Sequence, residues 1–69
     1  YLVITLNVLE LLEKNKKTKY WLYKQMDMSY QNFNRIVNNE TTSIRFDILD
    51  KISRILSVPV GELFEQTDN

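Results

Sequence analysis

Cysteine and histidine are absent from this 69-residue chain, which has a single Gly and a single Pro. Without Cys there are no disulfides and no thiolate metal sites, and without His the commonest general base and metal ligand is missing. One Gly leaves nothing for a glycine-rich phosphate loop, and no nucleophile stands with a base, so no enzyme and no cofactor are expected. The carboxylates are scattered and read as helix-capping and surface charge. No apolar run approaches the roughly 18 residues of a membrane span, and no signal peptide is expected. A reducing cytoplasmic setting fits the missing Cys, and a start at Tyr1 rather than Met reads as trimmed. No motif suggests a small-molecule effector or a membrane partner.

Net charge is lacking too, with nine basic and nine acidic side chains. Their distribution is uneven. Residues 14–45 carry a net +5, residues 1–13 carry −2 and residues 46–69 carry −3. A one-sided basic footprint is what a nucleic-acid-facing surface needs, although solvated lysines near helix ends give the same pattern. The length allows one domain near the lower limit for independent folding, so most apolar residues must converge on one core.

The stretch Thr18–Asn38 holds the clearest local signals. Thr18 is placed to cap a helix over about 18–26, with Leu22 and Met26 on one face. A tight corner at Asp27-Met28 leads to a second cap at Ser29, and Phe33, Ile36 and Val37 recur at helical spacing over 29–38. Two short helices joined by so short a turn make a helix-turn-helix. The second helix is left with Tyr30, Gln31, Asn34 and Arg35 outward, side chains suited to base edges.

Around this motif, Leu2–Thr5 is a β-branched run compatible with an extended segment, expected beside residues 43–46. Asn7 and Glu10 form a relative of the capping box, with Leu6 and Leu11 as a hydrophobic staple, for a helix over 8–15. Asn38 or Asn39 is expected to close the 29–38 helix in a left-handed conformation. Ile44, Phe46, Ile48, Leu49, Ile52, Ile55 and Leu56 form a stripe whose helix spans 46–56. Pro59 then opens a last helix over 60–65, with Leu63 and Phe64 turned inward. The expected core is Leu9, Leu12, Leu22, Met26, Phe33, Ile36, Leu49, Ile52, Leu56 and Leu63. Residues 1–65 read as the domain and 66–69 as a frayed tail.

From about Leu6 to Phe64 the sequence resembles the Cro/repressor-type (XRE-like) helix-turn-helix family. The resemblance is carried by Thr18, Leu22, Met26, Met28-Ser29, Phe33, Ile36 and Asn38, then Ile44-Arg45-Phe46, Leu49, Ile52, Leu56, Val58 and Leu63-Phe64. It implies an all-α, compact five-helix domain of the lambda-repressor-like plan. It also implies a small transcriptional regulator, in one form a repressor, that binds double-stranded DNA. Two positions depart from the family pattern. Tyr23 stands where a small residue lets the two motif helices approach, and Asp27 stands where Gly usually supplies a positive φ.

In such domains the second motif helix lies in the major groove. The resemblance then implies base contacts from Tyr30, Gln31, Asn34 and Arg35. Phosphate contacts are implied from Lys19, Asn38 and Arg45, with Thr41, Thr42, Ser43 and Asn32 as weaker candidates. The plainer reading of each is an ordinary polar surface residue, and for Arg45 an ion pair with Asp47 or Glu40. Trp21 reads as packing or partner contact. Family members often bind as dimers, which leaves a homodimer open here. The competing function is a protein-interaction module that keeps the fold without binding DNA.

Overall fold

The computed structural model describes residues 2–68. In order they form β1 (Leu2–Leu6), α1 (Val8–Lys14), α2 (Lys19–Tyr23), α3 (Tyr30–Val37), α4 (Phe46–Leu56), a 3-10 turn (Val60–Leu63) and β2 (Phe64–Asp68). Val8, Leu12, Leu22, Met26, Phe33, Val37, Leu49, Ile52 and Leu63 meet in one buried cluster. Eight of the ten expected core residues are buried; Leu56 is half-buried and Leu9 is exposed at 39%. Leu9 sits one helical step (about 100°) from Val8, and α1 turns Val8 and Leu12 inward instead. Phe46, expected in the α4 stripe, is 87% exposed, because Leu49 and Ile52 define the inward face of that helix.

The expected all-α, five-helix plan is corrected at its last part. Among the described residues there are four α-helices, and the region read as a fifth helix is a four-residue 3-10 turn. Leu63, fully buried, anchors that turn, and the chain then extends as β2 antiparallel to β1. The register runs from Leu6 opposite Phe64 to Leu2 opposite Asp68. Residues 66–68 are therefore paired strand rather than frayed tail, and Asn69 lies outside the described residues. A β-branched segment exposes a row of backbone donors and acceptors, and β2 satisfies them. Residues 2–5 are extended as expected, but their partner is 64–68 rather than 43–46. Between β1 and Thr41–Ile44 lies a cleft of about 230 Å³. Phe64 borders that cleft at the sheet surface instead of turning into the core.

Helix starts follow local chemistry where the backbone permits. The hydroxyls of Thr18 and Ser29 accept from the N–H of Trp21 (3.0 Å) and of Asn32 (3.3 Å), and both cap residues are extended. Asn7 does not cap, which corrects the expected capping box. Its ψ of 31° is far from the extended value a cap requires, and its Oδ1 is buried without a partner. Its backbone N–H instead donates to the Leu63 carbonyl at 2.9 Å, tying the start of α1 to the 3-10 turn.

Helix ends share one device. Lys16, Asn39 and Ser57 have φ near +60° and close α1, α3 and α4. Each closure pairs a six-residue bond with a four-residue one inside it: Lys17 N–H to Leu12 O, Glu40 N–H to Arg35 O, and Val58 N–H to Ser53 O are the longer members. Asn39 takes the left-handed position expected of Asn38 or Asn39. Its side chain goes further, accepting from the Leu6 N–H at 2.6 Å and donating to the Leu6 carbonyl at 3.0 Å. The end of α3 is thereby fastened to β1 with a strand-like pair of bonds.

Candidate nucleic-acid interface

α3 is amphipathic by spacing: Phe33, Ile36 and Val37 are buried, which leaves Tyr30, Gln31, Asn34, Arg35 and Asn38 toward the outer side. Gln31 and Arg35 are exposed, and neither has a side-chain hydrogen bond or ion pair among the described residues. Both keep their hydrogen-bonding atoms available. Tyr30 is 44% exposed and Asn34 is half-buried.

Tyr23 is accommodated at the α2–α3 contact by ring packing. Its ring meets Tyr30 edge-on at 4.9 Å between centroids and lies 5.6 Å from Phe33 and 6.1 Å from Tyr20. Such pairs add about 0.5–1.5 kcal/mol beyond area burial, so an aromatic seam replaces the close backbone approach a small residue allows. Asp27 does not adopt a positive φ, since Lys16, Asn39 and Ser57 are the non-glycine residues that do among those described. The turn leaves α2 early, at Tyr23 rather than Met26, through tight bonds from Gln25 N–H to Leu22 O and Met26 N–H to Tyr23 O. That geometry has no place for a left-handed residue at position 27.

Of the residues implied to touch phosphate, Lys19 is drawn in most. Its Nζ donates to Asn34 Oδ1 at 2.6 Å and lies 5.7 Å from the Tyr30 ring centroid. Arg45 forms the ion pair with Asp47, at 3.2 Å, with side chains 80% and 67% exposed. A pair so open to water contributes at most about 1 kcal/mol and releases its arginine readily. Arg45 also flanks, with Asn32, Arg35, Thr41 and Ser43, a cleft of about 280 Å³ beside α3. The candidates therefore fall into two groups, Lys19–Tyr30–Asn34 at one end and Asn32–Arg35–Thr41–Ser43–Arg45 at the other. Gln31, Asn38 and Thr42 are exposed and belong to neither.

Sequence reasoning missed the lysines on the α2 aromatics. Lys17 lies 4.9 Å from the Trp21 ring and Lys24 lies 5.5 Å from the Tyr20 ring. Tyr20 and Lys24 stand four residues apart along α2 and its cap, the spacing at which helix side chains meet, whereas Lys17 precedes the cap Thr18 and reaches Trp21 from outside the helix. Trp21 itself is half-buried against the core, the packing option for this residue. No group of acidic residues that could hold a metal ion occurs among the described residues, and no described helix is long and apolar enough to cross a membrane.

A family model described as a Cro/C1-type HTH DNA-binding domain matches residues 7–69. No curated protein and no solved structure matches the chain.

Proposed function

The chain belongs to the Cro/C1-type helix-turn-helix DNA-binding family, and on that premise we propose that it is a sequence-specific regulator of transcription. In this reading α3 enters the major groove and acts as the recognition helix. The observation that carries it is the outer face of α3, where Gln31 and Arg35 are exposed and unengaged while the opposite face is locked into the core. Gln presents a donor and an acceptor that match adenine, and Arg presents paired donors that match guanine. Tyr30 packs against a thymine methyl. Arg45, Ser43 and Thr41 hold phosphates along the neighbouring cleft, and Asn38 and Thr42 approach the backbone from the flanks. Occupancy of an operator that excludes polymerase makes such a regulator a repressor, and recruitment through a surface patch is the other route.

Selection from a random duplex pool tests the proposal. Gln31→Ala or Arg35→Ala is expected to cost about 1–3 kcal/mol on the preferred site and little on random DNA. Arg45→Ala is expected to weaken both and to lower the salt slope by about one counterion. Half-sites about 34 Å apart in the selected sequences mark a homodimer, and a single half marks a monomer. Unchanged affinity in all three folded variants contradicts DNA binding. The interaction-module reading then gains from Phe46, an aromatic ring 87% exposed on a chain of zero net charge.

A further inference from the structure

We propose that Lys19 decides which base Asn34 reads, by setting a positive donor against the Asn34 carbonyl and leaving the NH2 as the group that meets a base. The inference rests on the DNA-binding reading above and adds the base chemistry of one position. Lys19 Nζ donates to Asn34 Oδ1 at 2.6 Å. An ammonium donates only, so the amide atom facing it has to be the carbonyl oxygen, and the orientation of the Asn34 side chain follows. The bond is charge-assisted and short, the stronger class of hydrogen bond. Both residues are half-buried, unlike the open pair of Arg45 and Asp47. The ammonium is held a second time by the Tyr30 ring one turn earlier on α3, and Tyr23 supports that ring edge-on.

An unengaged asparagine suits adenine because its NH2 donates to N7 while its carbonyl accepts from N6. Here one lone pair of the carbonyl is engaged and a positive charge stands beside the other. The N6 amino group of adenine, itself a donor, has to approach the carbonyl beside an ammonium donor that repels it. Guanine presents two acceptors, N7 and O6, to the Asn34 amide and to the remaining N–H groups of Lys19. The pair therefore reads guanine, with Lys19 both orienting Asn34 from a different helix and donating to the base itself.

Sites selected by the intact chain are compared with those of Lys19→Met, which keeps the aliphatic stem, and Lys19→Gln, which keeps a neutral donor. The intact chain is expected to select guanine at one position that Asn34→Ala leaves undetermined. Lys19→Met is expected to turn that position toward adenine, a change in relative preference of about tenfold or more. The positions set by Gln31 and Arg35 stay as they were. Lys19→Gln is expected to retain guanine with lower overall affinity. In the free protein, the side-chain amide signals of Asn34 in NMR spectra are expected to move in Lys19→Met. Uniform weakening by Lys19→Met with guanine retained makes Lys19 a phosphate contact and overturns the proposal while DNA binding stands. A chain that selects no sequence removes the DNA-binding reading and this inference together, whatever the amide signals show.

Discussion

The exits of α2 and α3 solve the same problem by different means. Both must turn the chain sharply within a few residues of a short helix. The α2 exit does so without any left-handed residue, through two tight backbone bonds of 3.0 Å, and is pinned by Met26, which is 7% exposed. The α3 exit lies at the surface and is pinned by one polar residue, Asn39, through its φ of 61° and its two side-chain bonds to Leu6. An angle set by apolar burial depends on the whole core. An angle set by a few polar bonds depends on one side chain and its backbone. The angle between the two motif helices belongs to the first kind, and the attachment of α3 to β1 belongs to the second.

Met26→Ala sharpens this contrast most. Emptying a buried methionine site is expected to cost about 2–5 kcal/mol in chemical denaturation. A loss under 1 kcal/mol would mean that the tight backbone bonds alone hold the turn. Asn39 gives the next effect. Asn39→Ala loses two hydrogen bonds and places a Cβ-bearing residue without local polar support at positive φ, an expected loss of about 2–3 kcal/mol. Asn39→Gly keeps the conformation and loses only the bonds, so its expected loss is about 1–2 kcal/mol. Equal losses in both variants show that the left-handed geometry contributes nothing.

The smallest effects differ in sign. Ser57→Gly relieves a left-handed residue at the end of α4 and is expected to raise stability by up to about 1 kcal/mol. Asp27→Gly only loosens the unfolded chain and is expected to lower it by about 0.4–1 kcal/mol. Stabilisation by Asp27→Gly in thermal melts contradicts the turn geometry described for α2.

How far each feature could be read in the sequence depends on how local its cause is. Thr18 and Ser29 were legible as caps because a hydroxyl before an amphipathic run needs only its own backbone in an extended conformation. α4 was legible over its full 46–56 span for the same reason, with Ser57 and Pro59 just beyond it. Asn7 carries a similar cap signature and fails. Its backbone is drawn to the Leu63 carbonyl, a partner no local pattern reveals. The β1–β2 ladder was missed because Phe64–Asp68 has weak strand character alone and extends only where β1 offers an edge. On the outer face of α3, helical spacing identified the outward residues. The Lys19–Asn34 bond spans fifteen positions and two helices, so it depends on how α2 crosses α3.

The β1–β2 ladder has a kinetic consequence. It joins segments about sixty residues apart, so nearly the whole chain forms the loop that this pairing closes. Loop entropy of roughly 3–4 kcal/mol opposes the closure until the helices have drawn the two strands together. The four helices rest mostly on contacts between near neighbours in sequence and can assemble beforehand. The sheet is therefore expected to form last, and hydrogen exchange at its amides checks this. Because Asn39 bonds to Leu6, each opening of the ladder at that end also loosens the closure of α3. A fluctuation at the two strands, remote in sequence from Gln31 and Arg35, thus reaches the helix that carries them.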